Sequence, residues 1–173
     1  MSKEIYENFF NKSIFFVINN VDNKYLNKKI LKIIPNFSYS QFFEYIYDNY
    51  DNVPEYIFIT SDIDDNIITN MMIHKDKCNV NKHYLNIFTK DKGYNEISLG
   101  TYNNDKIFEY WTKILKLNIP KNNITYYNDD LMIIKKKEII NNNKDLYLYY
   151  SRKLKKNEDK DIIRIALHQI FKI

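Results

Sequence analysis

PNFSYSQFFEYIYDNYDNVPEYIFITSDIDD, from Pro35 to Asp65, is the stretch whose reading decides the fold. Ser38 and Gln41 have the spacing of a capping box, in which each side chain satisfies a free backbone N–H at a helix start. Phe42, Phe43, Ile46 and Tyr50 recur at helical spacing and give an apolar stripe for a sheet. Asp48-Asn49 and Asp51-Asn52 end that helix, Pro54 blocks its continuation, and Tyr56 to Thr60 reads as a short apolar strand. Asp62, Asp64 and Asp65 then crowd the strand's exit, with Asp65 or Asn66 placed to cap a following helix. Ligands in α/β proteins bind at the carboxyl ends of strands, so this carboxylate cluster is the leading functional feature.

Outward from that stretch, Ser13 to Asn19 is a continuous β-branched and aromatic run, the mark of a strand buried on both faces. Asn19, Asn20, Asp22 and Asn23 follow it, as a turn or as the polar lining of a crevice. Ile30 to Ile34 reads as a second strand stopped by Pro35. Downstream, the pattern predicts strands at 83–89 and 96–101, and a helix from Asn104 or Asp105 to Leu117 with Ile107, Phe108, Trp111, Ile114 and Leu115 on one face. Strands at 123–127 and 131–134 flank Asn128-Asp129-Asp130, and helices follow over 138–142, 145–155 and 159–171. Strands alternating with helices predict one α/β domain over residues 1–173, a sheet with helices on both faces.

Composition bounds the rest. The 173 residues include 16 Tyr but 2 Gly and 3 Pro, and Asn, Lys, Ile and Tyr dominate. Those residues share A/T-rich codons, so the Asn and Lys runs reflect a genome rather than a function. With 45% hydrophobic residues there is ample material for a core. The formal charge of +4 is mild, and Lys is interleaved with Asp and Glu, whereas a nucleic-acid binder shows a clustered basic face. One cysteine, Cys78, excludes an intramolecular disulfide and a cysteine-based zinc site. The apolar run 13–18 is too short for a signal peptide or a membrane span, so a cytoplasmic protein is expected, in a host cytoplasm if the genome is viral. Two glycines outside any G-x-G frame exclude a Rossmann or P-loop phosphate site.

The run Asp48-Asn49-Tyr50-Asp51-Asn52-Val53-Pro54, followed by the strand and its acidic exit, resembles a small, largely uncharacterised family of glycosyltransferase-like proteins of viruses, bacteria and fungi. Arg164-Ile-Ala-Leu-His168-Gln-Ile-Phe171 is similar to that family's closing helix. The resemblance implies a GT-A-like mixed sheet of the nucleotide-diphospho-sugar transferase type, a nucleoside-diphosphate-sugar donor, and a glycan or other hydroxyl acceptor. Asp62-Ile63-Asp64 has the Asp-x-Asp spacing that holds Mg²⁺ or Mn²⁺ through hard oxygen ligands, and equally the look of a solvated helix cap. His168 would complete the metal shell by the resemblance, or sit in the core beside Ile165 and Phe171. Asp129 or Asp130 would serve as base toward the acceptor, or form a turn. Asn19, Asn20 and Asp22, with Tyr25 to stack on the base, would take the nucleotide. The family carries Gly-Arg-Glu where this chain has Asn36-Phe37-Ser38, a departure that a non-catalytic module built on the same fold would show. A nucleic-acid role using Tyr and Lys ranks third.

Overall fold

In the computed structural model of the chain, residues 3–26, 31–65, 68, 95–97, 105–118, 124–126 and 131–171 are described. They belong to two compact units. The first takes Met1–Phe37, Asp51–Lys90 and Asp129–Ile139, and the second Ser38–Tyr50, Asp91–Asn128 and Ile140–Ile173.

The first unit is organised by the apolar run after residue 12. Helix α1 (Lys3–Asn11) leads into β1 (Ser13–Val21), then a one-turn helix α2 (Asn23–Leu26) and β2 (Lys32–Pro35). Strands β3 (Tyr56–Ile63) and β6 (Leu131–Lys135) complete a sheet of order β2-β1-β3-β6. The first three strands are parallel and β6 runs antiparallel to β3, so this is a mixed sheet in an α/β chain. Central position explains the unbroken apolar sequence of β1: Ile14 and Phe16 on one face and Phe15 and Val17 on the other are all buried. Phe15 stacks on Phe58 of β3 at 4.8 Å between ring centres, and Phe10 and Ile133 join the same cluster. Pro35 is tolerated because β2 is an edge strand, where a missing N–H leaves no ladder bond unmade. Asn36 follows with φ of 51°, a left-handed conformation that Asn adopts more readily than most residues. Helix α5 (Lys136–Ile140) begins directly after β6.

The second unit is built on helices. Ser38 caps α3 (Tyr39–Asp48) with the predicted reciprocal pair: Gln41 N–H donates to Ser38 Oγ at 3.2 Å, and Ser38 N–H donates to Gln41 Oε1 at 2.8 Å. The α3 stripe packs on α6 (Lys144–Asn157), Phe43 lying 4.9 Å from the Tyr150 ring centre. Ser40 Oγ donates to the Ser151 carbonyl at 2.8 Å, so two small residues let the helices approach closely. Helix α7 (Lys160–Ile170) closes the chain, and a small antiparallel ribbon pairs β4 (Asn95–Ile97) with β5 (Ile124–Tyr126).

Two expectations change. Strand β3 runs on to Ile63 rather than stopping at Thr60, because β1 also extends and supplies partners past the apolar segment. The helix predicted over 105–117 is an α-turn, α4 (Asp105–Glu109), that becomes a π-helix over Tyr110–Ile114. The wider turn closes with Leu115 N–H donating to Tyr110 carbonyl, so Tyr110 and Leu115 are buried while Phe108 turns outward at 52% exposure. The strand expected at 83–89 lies outside the described residues. Among the described residues, no helix is long and apolar enough to cross a membrane.

Candidate functional site

The sheet order reverses between β1 and β3. The chain leaves β1 toward β2 on one side, while β6 lies on the far side of β3. β2 flanks β1 and β6 flanks β3, so the strand order switches direction where the two parallel strands end side by side, the place where α/β sheets bind ligands. Because β6 is antiparallel and Leu131 pairs with Thr60, the start of β6 lies at this same edge.

Pairing changes as the strands reach the edge. Val17 pairs with Thr60, but the next pair is Asn20 with Asp62, three steps along β1 against two along β3. The extra residue on β1 is a bulge, which re-aims side chains locally. Thr60 Oγ1 donates to the Asp62 carbonyl at 2.9 Å across the same irregularity. Beyond it Val21 pairs with Ile63, and Asp22 N–H donates to the Ile63 carbonyl at 3.2 Å.

Asp22 then starts α2. Its carboxylate accepts from Lys24 N–H at 3.1 Å, and its carbonyl accepts from Tyr25 N–H at 2.8 Å. That tight turn puts Lys24 and Tyr25 beside Asp65. The Tyr25 hydroxyl donates to one oxygen of the Asp65 carboxylate and Lys24 Nζ to the other. Lys24 Nζ is also 3.4 Å from Asp22, and it lies 5.2 Å from the centre of the Tyr25 ring. The hydrogen bond to Asp65, followed by the charge and hydrogen bond of Asp22, raises the Lys24 pKa.

Of the residues singled out from sequence, Asp62 is half-buried inside β3 and Asp64 is exposed one position past its end. Asp65 is not the cap it was expected to be: the Ile68 N–H donates to the Asp64 carbonyl, and the Asp65 carboxylate is turned to Tyr25 and Lys24. Tyr25 presents no ring face for stacking, since it is 1% exposed in the cluster of Phe15, Phe58 and Ile63. Asn19 and Asp22 are exposed at the edge. Asn20 is on β1, His168 on α7, and the side chains of both lie outside the described residues, as do Asp129 and Asp130 altogether. Among the described residues, no three His, Cys, Asp or Glu side chains are grouped to hold a metal ion. Lys24 was missed because nothing in sequence links it to a residue 41 positions away.

The motif that carries the family resemblance is elsewhere. Asn49 N–H and Nδ2 both donate to the Tyr45 carbonyl and stop α3, and the Tyr50 hydroxyl donates to the Asn142 carbonyl at 2.6 Å. Asp51 to Pro54 leads into the amino end of β3, opposite the carboxylates. Comparison with family models, curated proteins and solved structures finds no match.

Proposed function

We propose that the protein is a metal-dependent, GT-A-like glycosyltransferase that uses a nucleoside-diphosphate sugar. The observation that carries this reading is the switch in strand order where parallel β1 and β3 end side by side, with Asn19-Asn20 and Asp62-Ile63-Asp64 at the two strand ends. Asp62 and Asp64 would hold Mn²⁺ or Mg²⁺, their donor chemistry fitting a hard cation. Such a cation stabilises negative charge on a departing diphosphate. Asn19, Asn20 and Asp22 would hydrogen-bond the nucleotide, and Tyr25 would act through its hydroxyl by fixing Asp65. His168 would be the further ligand by resemblance, and Asp129 or Asp130 would take the acceptor's proton. The left-handed φ of Asn36, where the resembling family has Gly, keeps the backbone turn that precedes α3.

A second reading, a non-catalytic module on the same fold, is favoured by Phe37. It stands where the family has Arg, is 2% exposed, and packs edge-on against Phe16, so it offers no cation to a phosphate.

Thermal unfolding with MnCl₂ and a panel of nucleoside diphosphates and sugar nucleotides separates the readings. At about 100 times Kd a ligand adds about 2.7 kcal/mol, or about 5–10 °C in Tm for a chain of this size. The shift should vanish in Asp62→Ala and Asp64→Ala. A wild-type protein unmoved by every nucleotide would leave only the non-catalytic reading.

A further inference from the structure

Charge that is balanced over most of the sequence is not balanced at its C-terminal end. Residues 1–139 hold eighteen basic and eighteen acidic side chains, whereas residues 140–173 hold eight basic and four acidic. The whole +4 excess is therefore in the C-terminal helical segment. Within it, α6 buries Tyr147, Tyr150, Ser151 and Leu154 and exposes Arg152, Lys153, Lys155 and Lys156.

At 3.6 residues per turn, Arg152, Lys153 and Lys156 share about 100° of the helix surface. Lys155 lies to one side, and its ammonium pairs with Glu44 of α3 at 3.3 Å. Lys153 Nζ sits 5.9 Å from the Tyr149 ring centre. Among the described residues, no carboxylate pairs with Arg152, Lys153 or Lys156. Attraction to the helix dipole explains cations in the last turn, which covers Lys155 and Lys156. It does not explain Arg152 and Lys153, a turn earlier.

The composition of this face selects its partner. The exposed large apolar residues among those described are Leu26, Phe108 and Ile140, none of them on α6, so the face has nothing to insert into a bilayer. It also lacks an open aromatic platform for unstacked bases, since Tyr149 is half-buried beneath Lys153. What it offers is a row of cations on a rigid helix, complementary to regularly spaced phosphates. We propose that Arg152, Lys153 and Lys156 dock the phosphate backbone of a duplex nucleic acid without reading its sequence. This face belongs to the second unit, and the ends of β1 and β3 belong to the first.

Fluorescence polarisation of the full chain with labelled DNA and RNA duplexes of about 20 base pairs tests it. Between about 50 and 200 mM salt, log K against log salt should fall with a slope of about −3, three phosphates each contributing about −0.9. Two unrelated sequences should bind within about three-fold of each other, because phosphate contacts carry no sequence information. The triple variant Arg152→Gln, Lys153→Gln, Lys156→Gln should lose at least about ten-fold in affinity at the lowest salt and flatten the slope. Lys32→Gln, Lys113→Gln, Lys116→Gln removes equal charge from other exposed positions and should change affinity less than about three-fold. Binding to either duplex with this pattern supports the proposal. It is overturned by no duplex binding at about 50 mM salt, by equal loss in both triple variants, or by preference for phosphatidylserine vesicles over either duplex.

Discussion

Tyr25→Phe is the sharpest test of how the edge of the sheet is held. The substitution keeps a ring that is 1% exposed and removes only the hydroxyl that donates to Asp65. Hydrogen bonds to charged groups contribute about 1.5–3 kcal/mol. Asp65 is 69% exposed and keeps Lys24, so the low end applies, a loss of about 1.5 kcal/mol. Asp65→Ala is more severe, because it takes the carboxylate from a hydroxyl anchored on a buried ring, at about 1–3 kcal/mol. The double variant should cost little more than Asp65→Ala alone, since the shared bond is lost only once. Lys24→Met should matter least, the ammonium being an exposed ion-pair partner. Far-UV circular dichroism in urea is the suitable readout, because the one tryptophan, Trp111, belongs to the second unit. Two results would refute the reasoning: Tyr25→Phe within about 0.3 kcal/mol of wild type, or Lys24→Met the most damaging of the three.

Phe58→Ala should cost about 3–5 kcal/mol, because the ring is fully buried and stacked on Phe15, and an unfolding free energy in urea lowered by less than a third of that would show the site collapsing instead. Tyr110 links stability to alkaline pH. Burial raises its pKa from 10.0 to about 12, so the folded state holds this proton more tightly than the unfolded chain. Its contribution is complete below pH 10 and is lost as pH rises toward 12. Tyr110→Phe, which also removes the hydroxyl's bonds to Asn157 carbonyl and Asp159 N–H, should be less stable than wild type at pH 7 by about 1–2 kcal/mol. That gap should narrow above pH 10, and a gap constant from neutral to alkaline pH in denaturant titrations would be the contrary result.

What the sequence discloses depends on how local the cause is. The strand at Ser13 was legible because burial on both faces demands an unbroken apolar run. The α3 start was legible because a capping box needs only Ser38 and Gln41. The end of β3 was misjudged because Ser61 and Asp62 look like an exit, and only pairing with Asn20 and Val21 keeps Asp62 and Ile63 in the sheet. The π-turn hides for a related reason: Tyr149 and Tyr150 hydroxyls donate to the Ile114 and Leu115 carbonyls, and those donors come from 35 residues away. Asp65 belongs with these cases. Its hydrogen-bond partners become neighbours only once β1 and β3 lie side by side, so a helix cap was the natural local reading. The cationic face of α6 is partly masked in sequence, since Glu158, Asp159 and Asp161 follow it closely without lying on that helix.

These placements divide resemblance from chemistry. The best-matching residues, Asp48 to Pro54, stop a helix and lead into β3, roles that any protein with this helix–strand join would need. β3 has eight residues, and at about 3.3 Å each its two ends are separated by roughly 25 Å. Asp51 to Pro54, which lead into the amino end of β3, are therefore far along the strand from a ligand held at Asp62. A likeness in that segment argues for the same backbone path and is silent about activity. The functional argument rests instead on topology: parallel β1 and β3 side by side, β2 and β6 on their opposite flanks, and β6 starting at the same edge. Substituting Asn49 or Tyr50 should accordingly lower stability and leave any nucleotide-dependent Tm shift in place, while Asp62→Ala and Asp64→Ala should do the reverse.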